Sequence, residues 1–502
     1  MTKIQTDCTM DQQPTRVCAH ETEQNQTADN FYSTLNGKLL SLLVSKPQMQ
    51  KFNICKEKQV KDFVNKYQCA FGSWPVIVDG QLIDQLREIT SPLPSLCYRA
   101  LELMFEGDAQ AFADYFQLPA SFYNNLTCNT VKREQLLMRY DYLYQQKEAK
   151  LLEINAGSNV GGWELDSLKV IIEGMFKQFP QTQNWRLSYR QVMIEFMQAL
   201  VGMGQPIAKA RQRNPNILLL AVFPDFSTKF QVESQLNLIY NMLQEQHLPK
   251  GTLSITESTN NIQVDENDAI YFGGKQMDIA FVNHPELPSE LYEQLFKSHQ
   301  SEQIVCPDTL AHRFVGNKLL FALLHEPKVL AQLSPQEQTL VQKHIPWSCK
   351  VKMDACIQEN QGAVKVVSSL GESLTDYAKA NKDILVLKKA ESLKGDHVRV
   401  GKFITAQQWA DDLEVAIAEG DWLLQSYCSP DHSTTCVYPQ QPSAHHFIWG
   451  AFDFADNYGG SIVRAVPVEQ ESGVINAAKG AIVIPVVEDA SRSPADMATL
   501  KR

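Results

Sequence analysis

Leu136-Leu137-Met138-Arg139-Tyr140-Asp141-Tyr142-Leu143-Tyr144, then a polar turn, then Lys150-Leu151-Leu152-Glu153-Ile154-Asn155: this stretch decides the fold. Both halves are β-prone and the break is short, which predicts a β-hairpin. A strand repeats every two residues, so Arg139 and Asp141 share one face. Glu153 and Asn155 likewise share one face of the return strand. With the turn centred on Lys147, Asp141 stands opposite Glu153 and Arg139 opposite Asn155. Opposed side chains start about 5 Å apart at their β-carbons. Two carboxylates and an amide oxygen on one patch suit Mg²⁺, above all Mg²⁺ already carrying nucleotide phosphates. The competing reading is a solvated face on which Arg139 compensates two acids. The turn Gln146-Lys147-Glu148 has no glycine, which leaves the register open at this level.

Downstream, a Gly-rich stretch at 157–162 leads into a predicted helix at 165–178, and a second helix covers 188–203. Residues 216–223 read as a buried strand, 231–246 as an amphipathic helix and 277–283 as another strand, an order that predicts a small α/β layer. A helix is expected at 314–325, a strand at 384–388 and a helix at 406–419. Further strands are expected at 422–427, 447–454 and 461–466. Upstream, 31–128 is mostly helical, with a turn and short strand at 71–80, and the polar residues 1–30 read as a disordered tail.

The chain has 502 residues, 44% hydrophobic and 21% charged, with a net charge of −11. That is a globular composition. The acidic balance argues against nonspecific binding to nucleic acid or anionic membrane. The longest apolar runs, 217–223 and 481–487, fall far short of the roughly 20 residues needed to span a bilayer. The first residues lack an apolar core, so no secretory signal is expected. Eleven cysteines without a CxxC pair fit reduced thiols in a cytoplasmic protein better than disulfides or a zinc site. GxxxxGK[ST], GxGxxG, HExxH, GxSxG and HRD patterns are all missing.

Three further features carry candidate chemistry. Lys388 ends an apolar strand, where a buried ammonium is costly unless it meets an anion. Lys394-Gly395-Asp396-His397 follows as a loop that can fold over phosphates. Gln425 sits in the apolar run Trp422–Tyr427, which can line an adenine pocket through backbone hydrogen bonds. Arg464 ends the run that starts at Gly459 and suits a phosphate or carboxylate. Taken singly, each is more simply a surface end or a core strand.

Taken in order, these pieces resemble the circularly permuted ATP-grasp ligases, in particular the synthetase domain of glutathionylspermidine synthases. The family pattern is R-x-D, about a dozen residues, then E-x-N-A-D-T. Here Arg139-Tyr140-Asp141 precedes Glu153-Ile154-Asn155-Ala156 by twelve residues, Asp to Glu. Gly162-Trp163-Glu164-Leu165 stands where the family has L-L-E-A. Val305-Cys306-Pro307 and Asn317-Lys318 resemble a Pro-containing strand and N-K; Val386-Leu387-Lys388-Lys389 resembles V-x-K-P. Trp422–Ser426 loosely matches Y-x-x-Q-E, and Gly459–Arg464 and Asn476–Pro485 complete a collinear match over about 130–490. Gly157-Ser158-Asn159 replaces D-T-P, the G-R-E-G loop is not reproduced, and Arg399 stands near the missing arginine.

The resemblance implies an α/β (α+β) chain: a permuted ATP-grasp fold with an inserted pre-ATP-grasp-like layer and an N-terminal helical region. The expected divisions are a tail at 1–30, the helical region 31–128, a first ATP-grasp part with the hairpin at 129–213, the layer at 214–310, the ATP-binding part at 311–490 and a tail at 491–502. It implies that Asp141, Glu153 and Asn155 hold Mg²⁺, that Lys318, Lys388 and Gln425 bind ATP, and that Arg139 and Arg464 are catalytic. The implied reaction joins a carboxylate to an amine through an acyl phosphate, with small-molecule substrates, neither nucleic acid nor membrane as partner, and a homodimer as an option. Asp141→Asn or Glu153→Gln is expected to remove substrate-dependent ADP release with the fold kept. The alternatives are a silent ATP-binding regulator and a phosphotransferase acting on a non-carboxylate.

Overall fold

The computed structural model describes residues 30–51, 70–126, 131–162, 168–223, 225–284, 287–353, 355–360, 363–367, 372–392, 395–437, 441–470 and 473–490. Of the tails expected at 1–30 and 491–502, residues 1–29 and 491–502 lie outside them, as do residues 163–165 and residue 394.

The predicted hairpin forms from Leu137–Gln145 and Glu148–Ala156. Its turn is a half-residue earlier than expected: Gln145 pairs with Glu148, so the turn residues are Gln146 and Lys147. A bulge between Asp141 and Tyr142 then adds Leu152 to the return strand. The extra residue restores the expected pairs, Asp141 with Glu153 and Arg139 with Asn155. Gln146 and Lys147 both take positive φ, 52° and 64°, without glycine. The Asp431 carboxylate pins them by accepting from both backbone N–H groups, at 2.7 and 2.8 Å. The left-handed region costs an L-residue about 1 kcal/mol or more. Lys147→Gly is therefore expected to raise stability by about 0.5–1 kcal/mol in urea unfolding.

The hairpin is one edge of an eight-stranded sheet. Its main path runs Val76–Asp79, Ile482–Asp489, Asn457–Pro467, Ser443–Phe454, Leu137–Gln145, Glu148–Ala156. Tyr140, Tyr142 and Tyr144 alternate with the charged positions and are all buried. Tyr142 and Tyr144 pack on Trp449, and the Tyr140 hydroxyl donates to Thr90 O at the end of the helix Gly80–Thr90. This tyrosine face ties the hairpin to the helical region, whose helices include Thr34–Ser45, Leu93–Phe105 and Ala109–Phe116. Burial of one face fixes which residues the other face presents.

Two smaller sheets complete the frame around the site. Ile279–Asn283, Ile217–Ala221 and Leu253–Thr256 form the expected α/β layer as a parallel sheet, with helix Phe226–Leu243 as its crossover. Ser348–Lys350, Trp422–Ser426, Leu385–Lys389 and Val398–Val400 form an antiparallel sheet. It packs through Leu385, Leu387 and Leu424 on Trp409 and Leu413 of helix Ala406–Glu419. The expected helix at 314–325 is instead a short helix Leu310–Arg313, a 3₁₀ turn Phe314–Gly316 and a helix Leu319–Leu324, every residue of which is buried. Among the described residues, no helix is long and apolar enough to cross a membrane.

Candidate active site

Asp141 anchors the charged face. Arg139 Nε donates to Asp141 Oδ1 at 2.8 Å and Nη2 to Oδ2 at 3.1 Å, a bidentate pair. Arg139 Nη1 donates to Gly161 O at 2.5 Å, which ties the Gly-rich stretch to the strand. Arg464 crosses from Asn457–Pro467 and places Nη2 2.9 Å from Asp141 Oδ2. Burial by itself would raise the Asp141 carboxyl, but the two guanidiniums outweigh it and hold the group well below the usual carboxylate range.

The charged face and the antiparallel sheet enclose a cleft lined by Asp141, Glu153, Lys388, Gln425, Arg464 and Asn476, among others. Lys388 is 7% exposed and donates to the bulge carbonyl, Leu152 O, at 3.1 Å. Burial pushes its ammonium down to about 8; Glu153 pulls it up and Lys318 pushes it further down. Gln425 is buried and donates to Ser348 Oγ at 3.0 Å. The apolar walls come from Val386, Val398, Val400, Leu143, Ile448 and Ile475.

A larger cavity of about 1040 Å³ lies beside the cleft, and its lining includes Asn155, Lys318 and Arg313. Ser392 lines both spaces. Lys318 Nζ stands at this junction, 3.3 Å from Glu153 Oε2 and donating to Ser392 O at 3.1 Å. Among the described residues, Asn155 Nδ2, Ser392 Oγ, Arg464 Nε and Arg313 Nε are buried without a hydrogen-bond partner. Unsatisfied buried donors are costly, and their gathering here marks a place where a ligand would satisfy them.

All eight residues singled out from sequence thus line these two spaces or, for Arg139, bind a residue that does. Arg399 does not join them. Val398 and Val400 face the cleft, so the intervening Arg399 points the other way, where its Nε is 3.4 Å from Asp412 Oδ1. Three residues escaped the sequence reading. Lys350 donates to the Asp114 and Tyr115 carbonyls, at 3.1 and 2.5 Å, and so braces the antiparallel sheet against the helical region. Asp308 accepts from Ser158 N at 2.5 Å and Val282 N at 3.0 Å, joining the loop after the hairpin to the parallel sheet. Burial pushes the Asp308 carboxyl up to about 6 against those two N–H groups. Gly157, at φ 61°, is required there, since a Cβ would sit 2.5 Å from Asp308 Oδ1. Arg313 is the third; it follows His312 in the short, mostly buried run Leu310–Val315 and matches no motif.

No family model matches the sequence, and no curated protein matches it. Among solved structures the chain is similar to a glutathione synthetase like-effector from Globodera pallida, at 12% identity over 89% of this chain and 96% of that one, with a TM-score of 0.51. Likenesses to a candidate gamma-glutamylcysteine synthetase from Methylobacillus flagellatus (10% identity, 79% and 88% of the chains, TM-score 0.36) and to D-alanyl-alanine synthetase A from Vibrio cholerae (12%, 58% and 78%, 0.28) are weaker. The chain has a mixed α/β, ATP-grasp-like fold. The narrower resemblance to glutathionylspermidine synthases is not what these comparisons report.

Proposed function

We propose that this chain is an ATP- and Mg²⁺-dependent ligase that joins a carboxylate to an amine, in a circularly permuted ATP-grasp arrangement. The observation that carries the reading is the junction itself. A cation-lined cleft and a larger cavity meet at Ser392 and the Lys318–Glu153 pair, with unsatisfied donors around them. The fold shared with a glutathione synthetase like-effector supports it.

In this reading the cleft takes the nucleotide, its base between the valine-lined sheet and Ile448 and its phosphates against Lys388, Arg464 and Lys318. The cleft measures about 110 Å³, below the roughly 300 Å³ where small-molecule sites begin, so nucleotide entry has to part the two sheets. Glu153 and Asn155 fit a hard divalent cation. They share a strand face, Glu153 contacts the Lys318 ammonium and lies in the field of Lys388, and a half-turn of the Asn155 amide replaces its unpartnered Nδ2 with an oxygen donor. Asp141 fits less directly, because guanidiniums occupy both of its oxygens, and its part is to aim Arg139 and Arg464. Bound there, Mg²⁺ would offset charge on the phosphates.

The carboxylate oxygen then attacks the γ-phosphorus as the bond to the β-phosphate oxygen breaks, giving an acyl phosphate and ADP. Arg464 and Lys388 hold the charge that gathers on the transferring group. An amine nitrogen next attacks the acyl carbon, phosphate departs, and the amine gives up a proton to leave an amide. The test is Mg²⁺-dependent ADP release across paired acids and amines, with product masses. Glu153→Gln is expected to lower that release at least about a hundredfold while keeping the unfolding midpoint, since Glu153 is part-exposed. Turnover near wild type in this variant would remove Glu153 from the reaction.

A nucleotide-binding chain without turnover is the second reading, favoured by the doubly paired Asp141. ATP-analogue binding with no ADP release from any acid–amine pair would select it.

A further inference from the structure

The larger cavity has a character of its own, apart from its place beside the cleft. At about 1040 Å³ it exceeds what a small amino acid needs. Its walls are largely apolar: Phe122, Leu287, Tyr292, Phe296 and Leu310 line it, and Leu310 is 49% exposed. A large apolar side chain left that open inside a concavity gains most from a ligand that covers it.

Positive charge enters this cavity through Lys318 and Arg313. Lys318 is already matched by Glu153. Arg313 makes no ion pair within 4 Å among the described residues, although the nearby Asp308 carboxylate feels its charge, and its Nε is buried without a hydrogen-bond partner. It also lies next to the reacting end. A Cβ on Gly157, two residues beyond Asn155, would sit 2.9 Å from Arg313 Cγ. Opposing acids are present too, since Glu293, Glu391 and Asp396 share the lining. They disfavour a second negative charge on whatever binds.

We infer that the cavity takes a monocarboxylate with an apolar body about the size of an aromatic ring, and that Arg313 sets this preference by binding the carboxylate. The inference rests on the proposed ligase reading only in making this acid the one that is activated. Its binding chemistry stands without nucleotide. Guanidinium suits the task, because its planar fork meets both carboxylate oxygens at once. The apolar wall then holds the remainder of the molecule by area.

The test is calorimetric titration of the full chain, without nucleotide, with 3-phenylpropionate, 3-phenylpropionamide and propionate. The phenyl acid is expected to bind at least about tenfold tighter than either comparison compound. Arg313→Gln should erase the preference for acid over amide while leaving amide affinity within about twofold. Arg313→Lys should keep part of that preference, which separates lost charge from lost folding, and unfolding midpoints of both variants are measured alongside. Equal binding of acid and amide, an acid preference that survives Arg313→Gln, or no binding of the phenyl acid at millimolar concentration would overturn the inference. Binding of an ATP analogue is followed in the same variants and should not change. An acid that binds through Arg313 in a chain that never releases ADP would sink the ligase reading and leave this one standing.

Discussion

Asp141→Asn is expected to cost the fold about 3–5 kcal/mol, read as a fall in the urea midpoint, before any effect on chemistry is measured. The reason is geometric. Asp141 is 2% exposed and is the carboxylate that both Arg139 and Arg464 contact in the structure. An amide of the same shape takes from both guanidiniums the carboxylate they contact, leaving Arg139 only the more distant Glu153. This departs from what the hairpin pattern suggests by itself, that the substitution spares the fold. The pH dependence follows the same charge. The folded Asp141 carboxyl lies below its unfolded value of about 3.9, so its stabilisation is complete above that pH and is lost only as pH falls through the lower folded value. Wild type should therefore lose this part of its stability only in strong acid. An Asp141→Asn variant as stable as wild type at pH 7 would show that the arginines do not depend on it.

Lys388→Met is expected to act with opposite signs on stability and on binding. Lys388 is buried, and burial holds its ammonium down at about 8, so the charge is a cost to the free protein. Met fills a similar volume without that charge, and should raise stability at pH 7 by about 1–3 kcal/mol. The same change should weaken ATP-analogue binding at least about tenfold, by removing a phosphate contact. The sign with pH is specific. Between about pH 8 and 10.4 the unfolded chain keeps the proton that folded Lys388 has shed, so wild-type stability gains from this group as pH rises through that window. Affinity runs the other way. A bound phosphate favours the ammonium, so analogue affinity should fall by up to about tenfold per pH unit above pH 8 in wild type and stay flat in Lys388→Met. Destabilisation together with unchanged nucleotide affinity would contradict both arms.

The hairpin shows how far pattern reading reaches. The alternation Arg139-Tyr140-Asp141-Tyr142 assigns a face to each side chain, and the structure keeps that assignment, with the tyrosines against Trp449 and Thr90. The pairing of Asp141 with Glu153 was legible too, although the turn was misplaced by half a residue and the Leu152 bulge made good the difference. That bulge has no mark in the sequence. Its carbonyl accepts from the distant Lys388, while Asp431 holds the strained turn. Arg399 illustrates the converse. Nearness in sequence to the expected loop suggested a role, but strand alternation turns it to Asp412.

Local periodicity by itself determined the hairpin, the longer strands, several helices and which side of the hairpin bears charge, because those properties repeat over two to four residues; the short strands Leu253–Thr256, Ser348–Lys350 and Val398–Val400 were not read. The helix Ala406–Glu419 and the strand Leu385–Lys389 are read within a residue of their observed ends. What only the tertiary structure decided is which charges meet. Arg464 reaches Asp141 across 323 positions of chain, Lys318 reaches Glu153 across 165, and Arg313 lines a cavity that no local motif announces. Those contacts depend on sheet order and on the packing of three sheets, and each is a long-range balance of desolvation against pairing that no local window contains.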